Sequence, residues 1–248
     1  SSTPTMLRGC VVVFVLLSAV GGAIADHSDW KPERTRLIDR AANLSNFLFR
    51  GNEPLVRNQT TKELFWPIEE FHQNLHDVAL KENVTLPDEY DVIDISFENK
   101  LTEDSDLEGE QKVFDSKLIN GSLINWVMVG DLTNPDNFPE PVVKEMAKTL
   151  PIWQVDKLAK RLPELHAMLN SAERPTVIYF HCEAGEDRTG EFCGSYQMQF
   201  LNWTFKDALA FANHIESREI HSASKNGMQW YCNYLKYGLG QSERDCSG

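Results

Sequence analysis

Long apolar runs are almost missing from this chain. Beyond residue 25, no stretch is apolar and long enough to cross a bilayer, which takes roughly 20 residues. Basic charge is scarce as well: 24 Lys and Arg stand against 37 Asp and Glu, for a net charge of -13. A nucleic-acid binder carries a basic surface, so DNA and RNA are poor partners, and the acidity disfavours docking on anionic lipid by charge alone. There is no low-complexity segment and no internal repeat. The 248 residues suffice for one domain with a proper core.

The one apolar run lies at the start. Arg8 precedes Cys10 to Val20, and Ala23-Ile24-Ala25 supplies small residues in the A-x-A pattern. That layout predicts a secretory signal peptide over residues 1–25, and a single domain with a polar N-terminal extension over 26–248. Sequons at Asn43, Asn58, Asn83, Asn120 and Asn202 agree with passage through the secretory pathway. The expectation is a secreted or lumenal glycoprotein with no membrane span after cleavage. Cysteine is sparse: Cys182, Cys193, Cys232 and Cys246 follow the signal. In an oxidising compartment a bridge is expected, either Cys193 with Cys232 or Cys232 with Cys246.

Residues 46–51 read as a short strand running into a turn, and 61–80 as a helix interrupted at Pro67. The β-branched segment 91–97 reads as a strand, and the acidic, Ser- and Gly-containing stretch 99–117 as an exposed loop. A strand over 125–129 ends at Gly130-Asp131. A turn over 134–139 leads to helices over 142–149 and 152–171, with Pro163 a kink. The almost continuously apolar run 175–180 suits a strand buried on both faces. Helices over 189–202, 204–219 and 226–237 finish the chain. Strands alternating with helices predict an α/β fold with a central, mostly parallel sheet.

The buried strand runs into His181-Cys182-Glu183-Ala184-Gly185-Glu186-Asp187-Arg188-Thr189-Gly190 and then a helix. In that order the loop is an anion cradle: backbone N–H groups of Glu183, Ala184, Gly185, Glu186, Asp187 and Arg188 converge at a helix N-terminus. Gly185 permits the tight turn, and the planar fork of Arg188 grips two phosphate oxygens. The positive helix end favours Cys182 as a thiolate nucleophile. Thr189 is placed to donate to the sulfur, and Gly190 to let the helix pack closely on the sheet.

These residues resemble the signature of the protein tyrosine and dual-specificity phosphatase superfamily: His-Cys, five residues, Arg, Ser or Thr, Gly. They look most like an atypical, dual-specificity-like branch with Asp before the Arg. Weaker similarity runs from about Phe47 to Tyr237, with 49–54 and 92–94 where such proteins carry strands. The resemblance implies the cysteine-phosphatase fold, no metal or other cofactor, and a cysteinyl-phosphate intermediate. It makes His181 a structural support for the loop. Gln229 lies where classical members have a water-positioning glutamine, although a helix-surface residue is the simpler reading.

The general acid is an open choice. Asp131 and Asp136 lie upstream of Cys182, further than is usual. Asp187 is the rival, because myotubularin-like lipid phosphatases and some bacterial relatives use an aspartate at that position. Glu183, Glu186 and Asp187 put negative charge where phosphoinositide phosphatases place lysines, and like charge repels polyanions. The expected substrate is therefore a phosphotyrosine-type protein or a small phosphoester. The alternatives are a phosphoinositide or inositol-phosphate phosphatase, and a lumenal phosphate-binding pseudophosphatase.

Overall fold

The structure, a computed structural model, describes residues 29–42, 45–171, 173–215 and 218–247. The predicted signal peptide and the sequon at Asn43 lie outside the described residues. The first half of the chain forms β1 (Arg36–Arg40), β2 (Asn46–Asn52), the short antiparallel pair β3 (Val56–Arg57) and β4 (Leu64–Phe65), α1 (Ile68–Lys81), β5 (Asp91–Ser96), α2 (Asp104–Asp115) and β6 (Gly121–Asn125). The second half adds α3 (Glu140–Lys148), α4 (Leu150–Trp153), α5 (Leu158–Ser171), β7 (Thr176–Cys182), α6 (Asp187–Phe200), α7 (Phe205–His214) and α8 (Ser222–Asn233).

Five strands make one sheet in the order β1-β2-β7-β5-β6. β2, β7, β5 and β6 run parallel, and β1 closes one edge antiparallel to β2. The period of two along each strand sends neighbours to opposite faces. Leu48, Ile178 and Phe180 enter a core with residues of α5, α6, α7 and α8, whereas Phe47, Phe49, Val177 and Tyr179 enter a second core with residues of α1 and α2. A parallel sheet covered on both faces reads as near-continuous apolar sequence, and β7 is buried throughout. The predicted mostly parallel sheet flanked by helices is the observed one. Among the described residues, no helix is long and apolar enough to cross a membrane.

Several sequence expectations need correction. Residues 99–117 are not an exposed loop: they contain α2, whose buried face comprises Asp106, Leu107, Glu110, Val113 and Phe114. Two acids on that face hide its apolar period. The strand expected over 125–129 ends at Asn125. The segment after it is apolar because Trp126 and Met128 are buried in the core. Pro67 does not interrupt a helix; it precedes α1, where a missing N–H costs nothing. The helix expected over 152–171 is split into α4 and α5. Asp156 lies in the break, and its carboxylate accepts hydrogen bonds from the N–H groups of Val129 (2.9 Å) and Gly130 (2.7 Å). Pro163 is contained within α5. Of the two bridges considered, the chain forms Cys232–Cys246, leaving Cys193 as a buried thiol.

Candidate active site

β7 lies between β2 and β5 and delivers Cys182 at the C-terminal end of the parallel strands, where open α/β sheets hold ligands. Cys182 is 2% exposed. α6 begins at Asp187, so the loop between strand and helix is very short. Thr189 spans it: its hydroxyl oxygen accepts from the Cys182 N–H at 2.8 Å and lies 3.2 Å from Sγ, to which it donates. Gly185 has φ +68°, and a Cβ there would fall 2.4 Å from the Gly51 carbonyl oxygen. The position therefore requires glycine both for its backbone and for its neighbour. Its N–H closes the turn onto the Cys182 carbonyl at 3.2 Å.

Three arginines, none of them anticipated, brace this loop from behind. Arg34 donates to the Ala184 carbonyl and forms an ion pair with Glu186 at 2.9 Å. Arg50, fully buried on β2, donates to the Gly185 carbonyl. Arg218 donates to Glu186 and to both Asp187 oxygens, each at 3.0 Å. Holding two successive carbonyls toward guanidinium groups orients those peptides for an anion cradle. The pairing also corrects the charge argument. Glu186 is buried and neutralised rather than pointing outward, so the loop is less repulsive to anions than its sequence suggests.

Arg188 is held by acids from the segment after β5. Its Nη1 and Nη2 donate to Glu103 Oε2 (3.0 Å) and Oε1 (2.8 Å), and Nη1 also lies 3.2 Å from Glu98 Oε2 and from the Phe97 carbonyl oxygen. Burial pushes the Glu98 carboxyl up, to about 11, and its hydrogen bond with Glu103 adds to the rise. Burial alone would raise Glu103 too, but the bonds from Glu98 and Arg188 outweigh it and hold Glu103 at about 2. The pair therefore carries one proton and one negative charge, matched to the Arg188 cation. Glu98 and Glu103 were missed because their stretch read as loop. A buried arginine in an apolar strand was the available signal for Arg50.

The predicted acids separate. Asp187 has its carboxylate committed to Arg218 and to the His221 N–H at 2.6 Å. Asp131 is buried in the loop after β6, where Gln154 Nε2 donates to it at 3.0 Å and Asn226 donates to its carbonyl oxygen. Burial pushes its carboxyl upward against the Gln154 bond, with a further push from Asp156. Asp136 is exposed and accepts from Gln229 at 2.8 Å. Gln229 is not on a helix surface: it is 1% exposed and also donates to the Cys246 carbonyl. Gly190 permits close packing, but against Ala212 of α7 and Ile220 rather than the sheet, since a Cβ would lie 3.2 Å from both. His181 is fully buried behind the loop, beside Asp94 and Glu110. The sequons at Asn58, Asn83, Asn120 and Asn202 are all exposed.

No protein-family model matches the chain, and no curated protein matches its sequence. It is similar to solved structures at low identity. One is the core catalytic domain of the PP-IP phosphatase SIW14 from S. cerevisiae in complex with citrate, at 16% identity and a TM-score of 0.38, over 79% of this chain and 87% of that one. Another is PTPMT1, at 14% identity and a TM-score of 0.40, over 85% and 99%. A third is TpbA from P. aeruginosa, at 12% identity and a TM-score of 0.32, over 82% and 96%. Likeness at this level assigns neither activity nor substrate.

Proposed function

We propose that this chain is a cysteine-dependent phosphatase that hydrolyses phosphomonoesters through a cysteinyl-phosphate. The observation that carries the reading is Cys182 at the mouth of a parallel strand, its sulfur 3.2 Å from the Thr189 hydroxyl, in a short loop that leads into α6 and its Arg188. In the first step Cys182 Sγ attacks phosphorus and the bond to the leaving oxygen breaks. A carboxylic acid gives its proton to that oxygen. In the second, the carboxylate so formed takes a proton from water as the water oxygen attacks phosphorus, the S–P bond breaks to free the Cys182 thiolate, and inorganic phosphate leaves. Thr189 then donates to the departing sulfur. Arg188 and the loop N–H groups take the phosphoryl charge in both steps, except the Gly185 N–H of the expected cradle, which is spent on the Cys182 carbonyl.

Asp136 is exposed and accepts from Gln229, so Asp131 is the best of the three candidate acids. Its raised carboxyl keeps a proton to higher pH, whereas the Asp187 oxygens are already acceptors for Arg218 and His221. Phosphotyrosine-type protein and small phosphoesters remain the first substrate reading. A phosphoinositide or inositol-phosphate substrate is the second, favoured by the way Arg34 and Arg218 neutralise Glu186 and Asp187. The Cys232–Cys246 bridge and four exposed sequons support a secretory-pathway location. Turnover of p-nitrophenyl phosphate, a phosphotyrosine peptide and inositol phosphates by wild type and Cys182→Ser tests both levels. Turnover by neither protein refutes the enzyme, and the ranking among substrates decides the class.

A further inference from the structure

Behind the loop lies a second cluster that the phosphatase mechanism does not use. His181 from β7, Asp94 from β5 and Glu110 from α2 meet with no solvent exposure. His181 Nε2 stands 3.0 Å from Asp94 Oδ1 and 3.3 Å from Glu110 Oε1. Neither approach has the direction of a hydrogen bond. Among the described residues, both imidazole nitrogens and all four carboxylate oxygens lack a partner of hydrogen-bond geometry. Ser96 and Glu53, both fully buried, stand within hydrogen-bonding reach of Glu110 and are its polar neighbours outside the trio.

Buried carboxylates without partners are costly, and proteins compensate them with protons, cationic side chains or metal ions. The spacing favours an ion. Donor atoms about 2.0–2.2 Å from one divalent ion stand about 3.0–3.5 Å apart at octahedral or tetrahedral angles, and His181 Nε2 lies at that separation from both oxygens. One donor atom from each residue can be chosen so that all lie within 4.8 Å of one another, which a small side-chain adjustment closes.

We infer that Asp94, Glu110 and His181 form a site for a divalent first-row transition ion, bound by two carboxylate oxygens and one imidazole nitrogen. Such a site departs from the metal-free expectation that the sequence resemblance carries. Closed to solvent, it is structural. The ion ties α2 to β5 and β7, and the residue immediately before α2 is Glu103, which grips Arg188. Filling the site therefore fixes the clamp on Arg188 relative to the strand that bears Cys182. The inference stands apart from the phosphatase reading, because its test reads metal and not turnover.

The full chain, stripped with chelator and confirmed folded by circular dichroism, is titrated with Co(II), Zn(II) and Mn(II). The expected result is uptake of a single equivalent, with visible d–d absorption for Co(II) and a raised Tm for the loaded protein. Asp94→Asn and Glu110→Gln keep the side-chain shape and remove charge; each is expected to weaken uptake at least tenfold. Glu191→Gln, which removes a buried carboxylate outside this trio, is expected to bind as wild type. No uptake of any of the three ions by folded wild type overturns the site in favour of carboxyls sharing protons. Unweakened uptake by folded Asp94→Asn or Glu110→Gln also overturns it, by placing the metal elsewhere. Should either amide variant fail to fold, the Co(II) spectrum of wild type decides: an imidazole nitrogen in the coordination sphere supports the site, and its absence refutes it.

Discussion

Glu103 holds Arg188 through two parallel hydrogen bonds of 2.8 and 3.0 Å, one from each guanidinium Nη. The clamp fixes the plane of the fork while Glu98 supplies the shared proton. Removing one partner of a half-buried charge pair leaves the other free to swing. Glu103→Ala is expected to lower kcat/KM by about 10–100-fold and to weaken competitive inhibition by inorganic phosphate in parallel. Improved phosphate binding in that variant would instead make Glu103 a competitor for the fork.

Thr189 bridges the Cys182 backbone and sulfur. A hydrogen bond to a charged group contributes about 1.5–3 kcal/mol, so Thr189→Val is expected to slow the step that expels the sulfur by roughly 10–100-fold. Rapid-quench kinetics with p-nitrophenyl phosphate check this. The variant should release nitrophenol in a burst and then accumulate phosphoenzyme, and a slowed burst with no accumulation would refute the leaving-group role.

Burial holds the Asp131 carboxyl above the usual carboxylate range. With Asp131 as acid, activity is present while that carboxyl is protonated and is lost as pH rises through its raised value. Asp131→Asn is expected to abolish this basic limb and to cost about 10²–10⁴-fold on a substrate with a poor leaving group. Asp187→Asn should keep the limb. A reversal of the two profiles would move the acid role to Asp187.

Glu191 of α6 is fully buried, and a Cβ on Gly227 would lie 1.9 Å from its Oε1. Burial, then the neighbouring Asp156 and Asp131, push its carboxyl well above its ordinary 4.5. Above pH 4.5 the unfolded chain loses this proton and the native chain keeps it. The native state then binds more protons, and stability falls as pH rises, by about 1.4 kcal/mol per pH unit. Glu103, ionised in both states from pH 5.5 to 7.5, adds no slope there. Urea unfolding of Glu191→Gln across this range should give a flatter pH dependence and higher stability at pH 7.5; an unchanged slope would contradict the buried proton.

Much of the fold was legible because its signals are local. β7 reads as almost continuously apolar up to Phe180, and the residues from His181 to Gly190 announce strand, turn and helix together. The apparatus around that loop was not legible, for a physical reason. Glu110 and Asp106 are carboxylates on the buried face of α2, and acids in a sequence read as solvent-facing. Arg34, Arg50 and Arg218 come from distant points of the chain, so only the fold brings them to Ala184, Gly185 and Asp187. The reading of Glu186 as uncompensated negative charge failed for the same reason: its partners lie 152 and 32 residues away in sequence, at Arg34 and Arg218.

The most direct test of the account is chemical. Wild type mixed with p-nitrophenyl phosphate, quenched in acid during turnover and digested, should yield a Cys182 peptide carrying one phosphoryl group on sulfur, absent from Cys182→Ser. Turnover by wild type with no phosphoryl group on Cys182 in Thr189→Val, where it should persist longest, would contradict the covalent mechanism.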